Sequence, residues 1–175
     1  MESLDAEGWA QLFNSCRESA CHLEMRDHYA VAEEAADIEK WRAGKWGPEE
    51  DAASKAGWLE LMRATAARGV RLRRTRIISE PASEYIRFEH DGTPQNIEAG
   101  EEVRWLPRTR ASGLALPGND CWIFDGATVL FNHFTGEGGW VGNELSRDPR
   151  VAELCTKAFE SAWELGVPHD EFTLT

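Results

Sequence analysis

The chain lacks the usual signatures of metal, redox and hydrolytic chemistry. Its four cysteines, Cys16, Cys21, Cys121 and Cys155, form no Cys-x-x-Cys pair, and none of the five histidines falls at zinc-ligand spacing from them. Reduced, buried thiols are the expectation, and neither a metal nor a cofactor is implied. The start, MESLDAEGW, has no basic segment followed by an apolar one, and no apolar run approaches membrane-spanning length, so a cytoplasmic location is expected. No period of 20 to 50 residues repeats, and no low-complexity linker divides the 175 residues, which suit one ordinary domain able to bury a core without disulfides. No nucleophile, base and orienting group stand together, so no residue is assigned a catalytic role.

Positive charge is scarce and uneven within a net charge of −12. Residues 1–60 carry 14 acidic and 6 basic side chains, residues 61–110 carry 7 and 10, and residues 111–175 carry 10 and 3. All ten basic residues of the central block are arginine. The acidic surplus disfavours direct nucleic-acid binding, whereas arginine forks suit carboxylate, phosphate and aromatic faces at short range.

The most informative stretch runs from Arg104 to Phe134. Two aromatic and β-branched runs, Cys121 to Phe124 and Ala127 to Phe131, flank Asp125-Gly126, a pair that lets both central turn residues take positive φ. A hairpin is expected there. Upstream, Leu4, Trp9, Leu12, Phe13, Cys16, Ala20 and Leu23 recur at helical spacing, with Asp5 as cap and a break near Ser15 to Ala20. AVAEEAADIEKWRAG predicts a second helix ending at Gly44, and Pro48 opens a third that runs to Gly69. Val70 to Ser79 predicts a strand and Pro81-Ala82-Ser83-Glu84 a helix start, with Asp91-Gly92-Thr93-Pro94 as a loop and Val103 to Leu106 as another strand. Four glycines in Gly136 to Gly142 mark the segment expected to move most, and Asp148-Pro149 caps a last helix that Gly166 stops.

Three groups of residues are candidates for function. The arginines Arg71, Arg73, Arg74, Arg76, Arg87, Arg104, Arg108 and Arg110 would form an anion pocket if several converged at one end of the sheet; Glu80, Glu84, Glu101 and Glu102 would instead pair them as a solvated lattice. The ligand set that follows from convergence is Arg76, Glu80, Tyr85, Arg87, Arg104, Arg108 and His133, the last because it joins a hairpin strand to the glycine-rich run. Asp120 and Asp125 flank the hairpin's first strand and suit a positional role better than a cation site with Glu137. Of eight tryptophans, Trp105, Trp122 and Trp163 belong in the core, while Trp9, Trp41, Trp46, Trp58 and Trp140 either cap the sheet or anchor a partner.

Across HLEMRDHYAVAEEAADIEKWRAG, RRTRIISEPASEYIRFEH, NIEAGEEVRWLPR, GLALPGNDCWIFDGATVLFNHF and the Asp148-Pro149 helix, the chain resembles a family of short acidic actinobacterial proteins grouped as a domain of unknown function. That resemblance implies a regulatory role beside helix-turn-helix regulators and carries no catalytic residue. The strand and helix order, with the EVRWLPR…DCWIFDG rhythm, is also similar to half of a phospholipase D-like fold. That superfamily's nucleophile motif is His-x-Lys followed four residues later by Asp, and none of His22, His28, His90, His133 or His169 has lysine two residues on. The expectation is an α+β domain: a helical layer over residues 1–69, a mixed sheet in residues 70–175, and a closing C-terminal helix. The expected role is a non-enzymatic protein that binds a DNA-binding regulator, with no membrane or direct nucleic-acid contact and with a homodimer compatible. The alternative is a small-molecule or anion sensor, or a degenerate phosphodiesterase-like hydrolase, that uses the central arginines.

Overall fold

Asp125 ties the two ends of the sheet's centre together. In the computed structural model, which describes residues 4–30 and 32–175, Asp125 and Gly126 have φ of 52° and 62°. They turn β4 (Cys121–Phe124) back on β5 (Thr128–Phe134), as the Asp-Gly pair predicts. The Asp125 carboxylate also accepts the backbone N–H groups of Arg17 (2.9 Å), Glu18 (2.8 Å) and Ser19 (3.0 Å) and the thiol of Cys16 (3.1 Å). Burial alone would raise its pKa, but the three N–H donors hold it below the ordinary value. Its role is positional.

Those bonds fix the point where the first helix ends. Helix α1 (Ala6–Ser15) is capped by Asp5, which accepts the N–H of Gly8 at 2.8 Å, and Cys16 is already extended. Ser19–Glu24 then forms strand β1, where the apolar spacing predicts more helix. Ala20, Cys21, His22 and Leu23 are all buried, and a short strand covered on both faces cannot be told from a helix by periodicity. The second predicted helix is observed as α2 (Ala35–Arg42); its Val31 lies outside the described residues, as do Met1 to Ser3. The third divides into α3 (Pro48–Ser54) and α4 (Ala56–Ala67).

Strand β2 (Arg71–Ile78) is followed by α5 (Glu84–Glu98), which runs straight through the predicted loop Asp91-Gly92-Thr93-Pro94. Packing against α3 overrides those turn-forming residues. Gly92 has no side chain where Asp51 of α3 and Lys55 approach, and a Cβ there would lie 2.8 Å from both side chains. Thr93 returns its hydroxyl to the Glu89 carbonyl at 2.7 Å, and Pro94 gives up one ladder donor. Beyond Gly100 come β3 (Glu101–Pro107), then β4, β5 and β6 (Trp140–Ser146), α6 (Pro149–Leu165) and the short β7 (Val167–Pro168). The glycine-rich run supplies the β5–β6 turn and the start of β6.

The strands form one mixed sheet in the order β6-β5-β4-β1-β2-β3-β7. β1, β2 and β3 are parallel, and the remaining pairs are antiparallel. The central strand therefore comes from the part of the chain expected to be helical throughout. Helix α6 covers one face over an apolar core that includes Leu23, Ile77, Leu106, Ile123, Val129, Cys155 and Phe159. On the other face, α1 and α4 cover a cluster of Phe13, Leu59, Met62, Leu72, Trp122, Phe124 and Leu130, and α5 covers Ile78, Ile86, Val103 and Trp105. No helix among the described residues is long and apolar enough to cross a membrane.

Replacing Asp125 with alanine removes the acceptor for three backbone donors at the α1–β1 junction. The expected loss is about 2–3 kcal/mol in urea unfolding at pH 7, the order of hydrogen bonds to a charged acceptor. Because the folded Asp125 pKa is depressed, this contribution exists above the ordinary carboxylate range and disappears as pH falls through the folded value, so the gap between wild type and variant narrows in acid.

Candidate functional site

Strand alternation places four charged or polar side chains on the helix-covered face between its two apolar clusters. His22 and Glu24 lie two apart on β1, Arg74 and Arg76 two apart on β2, and the parallel register sets His22 beside Arg74 and Glu24 beside Arg76. Arg74 reaches Glu101 of β3 at 3.0 Å and Glu24 at 3.2 Å. Arg76 approaches Glu24 at 2.7 Å through Nε and pairs with Glu89 of α5 through Nη2. Burial would raise the Glu24 carboxyl, but Arg76 and Arg74 overcome that and hold it far below its ordinary range.

A cavity of about 310 Å³ opens on this belt. Trp9 of α1, Trp58 of α4 and Trp122 of β4 form one aromatic wall, with Trp58 5.7 Å from Trp122 between ring centroids. Tyr29, Tyr85 and Phe134 form another, in which Tyr29 is 5.5 Å from Tyr85 and 5.0 Å from Phe134. Two carboxyls are held by phenols: Tyr29 donates to Asp120, and Tyr85 donates to Glu34 at 2.8 Å. Burial, reinforced by neighbouring carboxylates, raises Asp120 to about 6 and Glu34 to about 7. Both sit at the protonation boundary near neutral pH.

His22 is 7 % exposed and stacks on Trp122, with ring centroids 4.1 Å apart and planes 15° apart. Burial lowers its pKa to about 3, so it is a neutral imidazole, and neither ring nitrogen has a hydrogen-bond partner. Nη1 of Arg76, a residue 4 % exposed, is equally without one. Buried polar groups are nearly always paired, and these nitrogens are exceptions among the described residues. No general base is bonded to His22, and among the described residues no group of three or more His, Cys, Asp or Glu could hold a metal ion.

Of the ligand set read from the sequence, Arg76 and Tyr85 line this cavity and the other five residues lie elsewhere. Glu80 accepts from the Thr175 hydroxyl at 3.0 Å, and Arg87 reaches the Thr175 carbonyl at 3.4 Å. Arg104 projects from the opposite face of β3, donating to the Trp163 carbonyl at 2.9 Å with its guanidinium 4.4 Å from that ring's centroid. Arg108 donates to the carbonyls of Met25 (2.7 Å) and Ile77 (3.0 Å) and to Ser79 (3.0 Å). His133 pairs with Glu144 at 3.1 Å, while its chain neighbours Asn132 and Phe134 face the cavity. The arginines therefore do not converge. Nor do Arg74 and Arg76 form a solvated lattice, since both are buried. Glu101 is a partner as expected, whereas Glu84 pairs with Arg42.

Sequence reasoning passed over His22, Glu24, Tyr29, Glu34 and Glu89. A usable signal was present: polar residues at period two, His-x-Glu and Arg-x-Arg, inside runs otherwise apolar enough to be buried. Trp9 and Trp58 cap the sheet, Trp41 and Trp46 pack on Phe88, and Trp140 is exposed.

A family model described as "Domain of unknown function (DUF6879)" matches residues 7–174. No curated protein matches the sequence. Among solved structures, the chain is similar to a phospholipase D family member, Nuc from Salmonella typhimurium, at 13 % identity and a TM-score of 0.50, over 91 % of this chain and 86 % of that one. It is also similar to TrmBL2, an archaeal chromatin protein, at 11 % identity and a TM-score of 0.46, over 90 % of this chain and 48 % of that one. The likeness to Nuc bears out the phospholipase D-like sheet expected from the strand order.

Replacing Arg76 with methionine removes the ion-pair partner of Glu89 and leaves Glu24 to Arg74 alone in a buried site. The expected cost is about 3–5 kcal/mol at pH 7. In the wild type both carboxyls have depressed pKa values, so their contribution is present above the ordinary carboxylate range and lost as pH falls. In the variant the Glu89 carboxyl, left without its ion pair, would be raised instead, so urea unfolding at pH 5 and pH 7 should show less destabilisation at the lower pH.

Proposed function

The chain belongs to the DUF6879 family, and on that premise we propose that it is a small-molecule-binding domain on a phospholipase D-like fold, acting as a sensor rather than a catalyst. The observation that carries this reading is the cavity wall itself. His22 and Arg76, both more than nine-tenths buried and both carrying nitrogens that have no hydrogen-bond partner among the described residues, line a space of about 310 Å³ that is flanked by tryptophan and tyrosine rings. Desolvating those nitrogens costs stability, and a ligand that bonds to them recovers it. Catalysis of the phospholipase D type is not part of the proposal, because none of the five histidines has lysine two residues on and the arginines beside His22 are paired with carboxylates.

A second reading, binding of a protein partner such as a helix-turn-helix regulator, is favoured by one observation. Trp140, Val141 and Leu145 are exposed on β6, the outermost strand of the sheet. The two readings combine in a regulator whose ligand occupies the cavity and whose sheet edge meets the partner. Four buried free thiols suit a cytoplasmic setting for either.

The test is the substitution His22→Phe. It keeps the stack on Trp122 and removes both ring nitrogens, so the empty protein should gain about 1 kcal/mol. A screen of small polar compounds by thermal unfolding should find wild-type ligands that, at a hundredfold excess over Kd, add about 2.7 kcal/mol and so raise Tm by several degrees. The same compounds should shift His22→Phe far less. Equal shifts in both proteins would place binding elsewhere and remove the reading.

A further inference from the structure

Six carboxyl groups share three cationic side chains around the cavity. Glu24, Glu34, Glu89 and Asp120 line it together with Lys55, Arg74 and Arg76; behind them Asp51 lies 2.9 Å from Lys55 and Glu101 lies 3.0 Å from Arg74. All three are thus committed, Arg76 to two carboxylates at once, while Arg26, outside the cavity lining, donates to the Thr135 carbonyl at 3.1 Å and acts on Asp120 only at longer range. Among the described residues neither Glu34 nor Asp120 has an ion-pair partner. Glu34 is held by the Tyr85 hydroxyl, and Asp120 by the Tyr29 hydroxyl and the N–H of Met25 at 2.9 Å. A fully anionic ligand would add negative charge where cations are already short, and the field of the site favours the opposite sign.

The aromatic lining gives the second constraint. The rings of Tyr29 and Tyr85, 5.5 Å apart between centroids, line the cavity with both phenol-held carboxyls, and the neighbouring Phe134 ring already carries the Arg26 guanidinium 5.4 Å from its centroid, the kind of contact that a ligand cation would make.

We propose that the cavity takes an organic ammonium or guanidinium ligand, the cation balancing Asp120 and Glu34. This rests on the small-molecule reading above and names its ligand class. Binding is coupled to proton release. Asp120 is faced by Glu24 of β1 and by Tyr29 and Arg26 of the segment after it; Glu34 is faced by Glu89 and Tyr85 of α5, Arg76 of β2 and Lys55 at the start of α4. A bound cation favours the ionised form of both carboxyls, so the affinity rises with pH. With Glu34 at about 7, its proton alone makes binding about tenfold tighter at pH 8 than at pH 6.

The experiment is titration calorimetry on the full chain with matched probes: tyramine and agmatine as cations, 4-hydroxyphenylacetate as the anion of tyramine's shape, and inorganic phosphate. The expected result is binding of at least one amine, none of either anion, tighter binding at pH 8 than at pH 6, and an enthalpy that varies with the ionisation heat of the buffer as protons are released. The buffer dependence needs no variant. Asp120→Asn and Glu34→Gln retain an acceptor for each tyrosine and should together flatten the pH dependence. Binding of the anions without the amines would overturn the charge assignment while leaving a ligand cavity in place. Amine binding that is independent of pH and buffer, or unchanged in the double variant, would overturn the placement at these carboxyls. Absence of binding by all four probes counts against the amine class, and the unfolding screen of neutral and charged compounds then decides separately whether the cavity binds anything.

Discussion

Everything on the helix-covered face is organised by the desolvated charges of β1 and β2. Removing carboxylates and guanidinium groups from water costs several kcal/mol per ion, and their mutual attraction returns that only with near-complete pairing. Glu24, Arg74, Arg76, Glu89 and Glu101 supply the pairing from three strands and one helix, so the register of β1 on β2 and the docking of α5 are set by charge geometry as much as by apolar burial. A sheet shifted by one residue would point Glu24 into the apolar core beneath α6. The stability that tolerates such a belt comes from that opposite face, where Leu23, Ile77, Leu106, Val129 and Phe159 pack together and the one buried guanidinium among its described residues, Arg73, lies over Phe159 and pairs with Glu160 of α6.

This division of labour differs from that of a phosphodiesterase built on a similar sheet. Where an anionic substrate is processed, cations must be left over for it. Here each guanidinium in the cavity wall is balanced by carboxylate, while Glu34 and Asp120, without ion-pair partners among the described residues, are held near their protonation boundary by the hydroxyls of Tyr85 and Tyr29. The likeness to the phospholipase D family member is one of fold, and the charge balance of the wall is this chain's own.

Elements with strong local chemistry were legible in the sequence. Asp125-Gly126 identifies the β4–β5 hairpin because only a few residues accept two consecutive positive φ angles, and Asp148-Pro149 identifies α6 because cap and first-turn proline act within one turn. Elements decided by tertiary packing were not. Strand β1 is buried on both faces and so loses its alternation, and Pro94 stays helical because α3 holds that turn in place. The site suffered from parity: His133 is one residue from Asn132 and Phe134, which line the cavity, and Arg104 is one residue from Val103 and Trp105 on the same face as the belt, and in a strand one residue is the other side of the sheet. Arg76 and Tyr85 were found because a buried arginine strand and a buried helix face are visible in composition, whereas Glu34 and Asp120 matter through neighbours far along the chain.

The position of β1 also bears on how the protein is made. His22 lies between Arg74 on one side and Trp122 on the other, so the strand that forms the middle of the sheet is synthesised first and receives its second neighbour only after two thirds of the chain has followed. Until β4 emerges from the ribosome, His22 and Glu24 sit on an open strand edge with half their surroundings missing. Such pairings form slowly, because a long loop must close before any contact rewards it. A nascent chain halted before Cys121 would expose a partly apolar, partly charged edge, which makes the time between the synthesis of β2 and that of β4 the interval when this protein is most open to capture by chaperones or proteases.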